Sequence, residues 1–139
     1  VAQIKRLSDA EKDGDQIYGV IKGSAVNHGG KTSGYTVPSA KAQKGAILSA
    51  LKESQIAPEL ITYIEAHGSG TKLGDPIEIE GLSEAFIGGE MHHVGTGKKK
   101  KSVAAAKKMQ CWIGSAKSNI GHGESAAGIA GVTKVLLQM

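Results

Sequence analysis

The sequence predicts an α/β domain with a parallel sheet, on three observations. Strand-like and helix-like runs alternate along the chain in the order strand, helix, strand, helix, strand, helix, which is how a parallel sheet is built. The run 60–66 (LITYIEA) has the near-continuous apolar character of a strand covered on both faces. Glycine is abundant, at 20 of 139 residues, while aromatics make up 4 %, so close backbone packing is expected in place of a core of large rings.

Residues 1–16 read as the tail of a helix and a polar turn ending at Asp13-Gly14-Asp15. The Ile-, Val- and Tyr-rich stretch 17–27 (IYGVIKGSAVN) reads as a first strand, and 28–38 as an irregular loop. Ser39 is placed to cap a helix over 40–54, whose Ala46, Ile47, Ala50 and Leu51 share one face. Pro58 marks a turn before the second strand at 60–66. Asp75-Pro76-Ile77-Glu78 then starts a helix to Phe86, with Asp75 as cap, Pro76 at the first helical position and Glu78 three residues after the cap. Residues 88–110 form a long basic loop, 111–116 (CWIGSA) a third strand, and 124–138 (ESAAGIAGVTKVLLQ) a last helix. That helix is apolar on nearly every side and is expected to be buried all round, with Gly128 and Gly131 allowing another helix to come close.

Composition narrows the function. A chain of 139 residues buries roughly two-thirds of its unfolded surface, enough for a core. The single cysteine excludes an internal disulfide and points to a reducing, cytosolic setting. There is no apolar run of about 20 residues for a membrane span and no signal-peptide pattern. The net charge of +4 is uneven: Lys98, Lys99, Lys100, Lys101, Lys107 and Lys108 are six of the 17 basic residues. With no aromatics beside them they read as a solvated loop and not as a nucleic-acid surface. GSGTKLG (68–74) fails the dinucleotide pattern because Leu73 stands where glycine is needed. GGKT (29–32) fails the phosphate-loop pattern because Ala25 and a following non-helical stretch break it. His92-His93 has no cysteine or acid cluster to complete a metal site, so no metal is expected.

Two histidines stand out. The stretch YIEAHGSGTKLGDPIEIE (63–80) places His67 at a strand tip and surrounds it with small residues. Either something long and thin passes that histidine, or the stretch is a tight turn and the histidine incidental. KSNIGHGES (117–125) places His122 similarly after the third strand. In parallel sheets ligands bind beyond the carboxyl ends of the strands. Two imidazoles there can donate N–H bonds to a developing enolate or thioester oxygen, or move protons. Lys117 nearby would keep them neutral. Both rings are expected to face one cavity.

YIEAHGSGTKLGDPIEIEGL, IGSAKSNIGHGESAAGIAGVTKVLLQM and VIKGSAVNHGGKTSGYTVP, in this order-specific combination, resemble the ketosynthase domain of a modular polyketide synthase, and most of all the kind whose acyltransferases are separate proteins. The resemblance covers most of 1–139 apart from the basic 88–110 insertion, and it corresponds to the second half of the domain, cut at both sides. It implies a thiolase-like fold: one of two α/β halves, a three-layer α/β/α arrangement with mostly parallel central strands and a buried helix, in a homodimer. It implies decarboxylative Claisen condensation between an acyl thioester and a malonyl-type extender carried on acyl carrier protein. Residue by residue, His67 and His122 take the places of the two catalytic histidines and Lys117 that of the supporting lysine. Ser69 and Thr71 take the places of two hydroxyls that touch the phosphopantetheine arm. Ser69 stands where threonine is usual. Gly68 and Gly70 are expected to leave room for that arm.

The family's nucleophilic cysteine has no counterpart here. Cys111 opens a strand beside Trp112 and lacks the helix-start setting that activates a thiol. The chain by itself is therefore expected to be inactive, and its last helix to lack its burial partner. Two other readings stay open: a non-elongating ketosynthase that only passes acyl chains on, and a carrier-binding scaffold whose basic loop steers acidic partners.

Overall fold

The computed structural model describes residues 2–34, 36–86 and 110–139. The basic loop expected over 88–110 lies outside the described residues except for Gln110. The elements are α1 (Leu7–Asp13), α2 (Ala40–Ser54), β1 (Tyr63–Glu65), α3 (Gly74–Phe86), β2 (Trp112–Gly114), α4 (Lys117–Ile120) and α5 (Ala127–Gln138), with single 3-10 turns at Pro58–Leu60 and Glu124–Ala126.

Helix α1 ends in a left-handed Gly14, φ 69°, as the Asp-Gly-Asp turn suggests. Helix α2 begins where Ser39 places it: the Ser39 hydroxyl accepts from the Ala42 N–H at 3.2 Å. Strands β1 and β2 pair in parallel with Tyr63 opposite Trp112, Ile64 opposite Ile113 and Glu65 opposite Gly114. The ladder is flanked by Trp112 N–H to Thr62 O at 2.9 Å and Ala66 N–H to Gly114 O at 2.7 Å. Strand alternation then sorts the faces. Ile64 and Ile113 line a groove with Ile79, Leu82 and Phe86 of α3, and α2 packs along α3. On the other face Tyr63 and Glu65 meet Lys134 of α5. Helix, sheet and helix thus form three layers.

Two close approaches depend on glycine. A Cβ at Gly81 of α3 would lie 3.0 Å from the Ala40 carbonyl oxygen of α2, and one at Gly131 of α5 would lie 3.2 Å from Glu65 Cγ. Gly131 therefore lets α5 approach a strand, where a helix was expected, and Gly128 faces open space.

The expected strand over 17–27 does not form. A strand needs a ladder partner, and among the described residues β1 and β2 pair only with each other. The segment instead runs over the ends of α2 and α5. Gly23 lies against the Ala50 carbonyl and Ser54, Gly19 against Leu136, and Glu53 accepts from the Ser24 N–H at 2.6 Å. The expectation that α5 is buried all round also fails. Ile129 is 50 %, Val132 52 % and Leu137 82 % exposed, because only the side carrying Gly131 and Lys134 meets β1. Ala10, Ala85 and Ala116 are the buried hydrophobic residues among those described, a thinner core than chain length suggests.

An exposed apolar helix face drives association. Light scattering of this chain should give a mass that rises with concentration, and Val132→Lys with Leu137→Lys should suppress the rise. A monomer at all concentrations would contradict the assignment of α5 as a sticky face.

Candidate functional site

The parallel pairing sets the carboxyl ends of β1 and β2 side by side, and the chain leaves each as a tight turn. After β1 it turns at His67 and Gly68. After β2 it passes Ser115 and Ala116 into α4 and then His122. The two turns are stitched together. The Ser115 hydroxyl donates to the His67 carbonyl at 3.3 Å. Gly68 has φ 49°, and a Cβ on it would lie 2.7 Å from Ser115 Cβ. The imidazoles of His67 and His122, 55 positions apart in sequence, meet with ring centroids 5.3 Å apart and planes at 82°, an edge-to-face contact.

Carboxylates hold the first turn from behind. Glu78 of α3 accepts from the His67 N–H at 2.6 Å and the Gly68 N–H at 2.8 Å. Asp75 accepts from the Gly70 N–H at 3.1 Å and from the Ser69 hydroxyl at 3.4 Å. The capping box expected at Asp75 and Glu78 is therefore not what forms. Helix α3 starts at Gly74, and it is the Thr71 hydroxyl that accepts from the Gly74 N–H at 2.9 Å. The two acids turn to the loop because its backbone N–H groups have no ladder partner and need acceptors.

Ser69 and Thr71 stand with their hydroxyl oxygens 3.1 Å apart. Together with His67, Thr36, Val37 and Pro38 they line a cleft of about 560 Å³. His122 meets His67 but is not among the cleft-lining residues, so the expectation that both rings face one cavity holds for His67 alone. Gly68 does not open a passage either, since it is pressed on Ser115. Gly70, at φ 73° with nothing near its Cβ position, is the open one.

His122 Nδ1 accepts from the Glu124 N–H at 3.0 Å, which leaves the proton of the neutral ring on Nε2. Glu124 adopts φ 48°, a left-handed backbone uncommon outside glycine. Lys117 opens α4, its N–H donating to Ser115 Oγ at 3.3 Å. No hydrogen bond or ion pair of its ammonium is found among the described residues.

Sequence reasoning missed Glu65, Tyr63, Lys134 and Ser115. The Glu65 carboxylate accepts from the Tyr63 hydroxyl at 2.6 Å, from Lys134 Nζ at 2.8 Å and from the Ala116 N–H. Gly114 leaves space for this cluster, as a Cβ there would lie 2.7 Å from the Tyr63 oxygen. The signal was available. Glu65 is the one charge in an apolar strand and Lys134 the one charge in an apolar helix, and opposite lone charges in adjacent apolar elements tend to pair. Burial pushes the Glu65 carboxyl up. The bonds from Lys134, Tyr63 and Ala116 outweigh burial and hold it below its ordinary value. Lys134 is raised, chiefly by its bond to Glu65 and then by Tyr63. Burial also raises the Cys111 thiol, the opposite of an activated thiolate. Among the described residues there is no cluster of His, Cys, Asp or Glu able to hold a metal, and no helix is long and apolar enough to cross a membrane.

Two outcomes follow from this geometry. Gly68→Ala should lower the thermal midpoint by more than Gly70→Ala. Both place a side chain at positive φ, at about 1–2 kcal/mol, but only the first also strikes Ser115. Glu65 stays ionised to lower pH in the folded chain than in the unfolded one. Its contribution to stability is complete above its ordinary value of 4.5 and fades as pH falls through the lower folded value. Lys134 is the mirror case, contributing fully below 10.5 and fading as pH rises through its raised folded value. Denaturant midpoints should therefore separate the chain from its Glu65→Gln variant most at neutral pH, and the gap should narrow in acid.

The family described as Beta-ketoacyl synthase, C-terminal domain, matches residues 18–139. Polyketide synthase PksL of Bacillus subtilis (strain 168) is 57 % identical over 136 residues, covering 98 % of this chain and 3 % of that protein. Polyketide synthase ThaG of Burkholderia thailandensis is 55 % identical over 139 residues, covering 100 % of this chain and 2 % of that one. Among solved structures, the ketosynthase from module 6 of the bacillaene synthase of Bacillus subtilis 168 superposes with a TM-score of 0.80 at 51 % identity, covering 97 % of this chain and 21 % of that chain. An oxazolomycin ketosynthase domain of Streptomyces albus JA3453 gives 0.80 at 48 % identity, covering 96 % and 20 %. The chain thus spans a few hundredths of the curated relatives and about a fifth of the solved ketosynthases. The α/β layers are those of the thiolase-like ketosynthase fold, and the chain belongs to the beta-ketoacyl synthase family, as a part of its C-terminal domain.

Proposed function

We propose that this chain supplies the two-histidine half of a polyketide synthase ketosynthase, of the kind served by separate acyltransferases, and that the domain elongates. The observation that carries the reading is the 5.3 Å edge-to-face contact of His67 and His122, set beside a cleft lined by Ser69 and Thr71. The phosphopantetheine arm of an acyl carrier protein lies in that cleft, its amides within reach of the two hydroxyls. The malonyl-type extender breaks its bond to the carboxylate and releases carbon dioxide. The electron pair left behind forms an enolate on the thioester. An enolate oxygen needs donors already in place, and a neutral His122 with its proton on Nε2 is such a donor, with His67 alongside it. The enolate carbon then attacks the acyl thioester carbonyl, and the nucleophilic cysteine leaves as its thiolate.

That cysteine is taken to come from outside this chain: Cys111 lines the groove with Ile64, Ile79 and Phe86, apart from the cleft at His67, and burial pushes its thiol up. The chain alone is therefore inactive, and the remaining ketosynthase covers the exposed faces of α5 and β2. Lys117, the first residue of α4, supports the histidines. The complete domain works as a homodimer in the cytoplasm, with acyl carrier protein as its partner.

The test is made in a complete ketosynthase carrying this segment, with acyl and malonyl groups on carrier proteins. His67→Ala and His122→Ala should each lower chain extension by about a hundredfold or more while the active cysteine still takes up an acyl group. Full extension by both variants would overturn the reading. Acyl uptake with no release of carbon dioxide by the unaltered domain would favour the non-elongating alternative.

A further inference from the structure

Glu65 is built into both sides of the histidine pair. It is the last residue of β1, two before His67. The segment that carries His122 begins after Ala116 and runs into α5, and both of its flanks are tied to Glu65. Ala116 donates its N–H to one carboxylate oxygen. Lys134 donates to the other at 2.8 Å, and the Tyr63 hydroxyl donates to that same oxygen at 2.6 Å. Lys134 Nζ also reaches the Tyr63 oxygen at 2.8 Å, closing a triangle. The side chain of Glu65 is 13 % exposed and that of Lys134 28 %, so the pair is shielded enough to act as a fixed joint rather than a loose surface bridge. Gly114 and Gly131 clear the space on either side, with Cβ positions that would collide with the Tyr63 oxygen and crowd Glu65 Cγ.

We infer that Glu65 and Lys134 are positioning residues that set the spacing and angle of His67 and His122. This rests on the reading of those histidines as the reacting pair. A carboxylate with two oxygens can hold the Ala116 turn with one and the α5 ammonium with the other, so one group ties the approach to His122 and the exit from it to the strand that leads into His67. An amide cannot do the same. Whichever way it turns, its nitrogen presents a donor either to the Ala116 N–H or to the Lys134 ammonium, and neither can accept.

The experiment separates the two half-reactions of a complete ketosynthase carrying this segment. Acyl uptake needs the cysteine and not the spacing of the histidines. Decarboxylation of the malonyl extender needs the histidines in register. Glu65→Gln should lower the turnover number for decarboxylation about tenfold or more, with acyl uptake and the Michaelis constant for the malonyl carrier within about twofold of the parent. Lys134→Met should do the same. The double variant should be no worse than either single one, since both remove one joint. Lys134→Arg, which keeps the charge and the donors, should recover most of the rate. Decarboxylation unaffected by Glu65→Gln would overturn the inference, and so would loss of both half-reactions in proportion to a lowered melting temperature. His67→Ala and His122→Ala run beside these variants. Retained decarboxylation there would bring down the histidine reading itself, a result separate from any outcome at Glu65.

Discussion

A carboxylate on the inner face of a strand has to be paired, and the pairing of Glu65 organises the rest of this structure. The side chain sits between β1 and α5, where an unpaired charge would be costly. Its partners come from three places: the same strand, the turn after β2 and the middle of α5. Once it is satisfied, the end of β2 and the start of α5 have little freedom relative to β1. His67 follows the end of β1, and His122 lies on the segment between β2 and α5. A requirement of electrostatics thereby becomes a requirement on the geometry of the site.

The turn around His67 shows the same logic at smaller scale. Gly68, Ser69, Gly70 and Thr71 are small where the turn is pressed on Ser115 on one side and faces a cleft on the other. Their N–H groups cannot join a ladder, so Glu78 and Asp75 reach back from α3 to accept them. The helix that follows the histidine therefore acts as a brace, and its acidic residues serve the turn in preference to the helix's own N-terminus. The turn is tight, and it also borders a cleft, so the two readings that the stretch invites by itself do not exclude each other.

The chain also shows how a segment can hold a local site without a thick core. Two short strands and their flanking helices place the histidines together, yet the outward faces of α5 and β2 remain apolar and exposed. A parallel sheet is ordinarily covered on both faces. Trp112, at 67 % exposed on β2, breaks that pattern among the described residues. These exposed apolar surfaces are suited to contact with other protein surfaces.

Local chemistry was legible in the sequence. The Ser39 cap, the span of α2 and the Asp-Gly-Asp turn after α1 depend on neighbours a few residues apart, and each lies where its residues put it, while α3 starts at Gly74, two residues before the expected Pro76. The two histidine motifs were legible because their flanking glycines and hydroxyls form dense local patterns. Other features were decided only by tertiary structure, because they depend on partners far along the chain. Residues 17–27 have strand composition but no ladder partner among the described residues, and a strand cannot exist alone. The composition of α5 suits burial on all sides, yet burial needs neighbours, and α5 meets β1 on one side only. Glu65 and Lys134 are 69 positions apart, and no local pattern joins them. What joins them is the parallel register that brings α5 across β1, together with the high cost of leaving either charge alone.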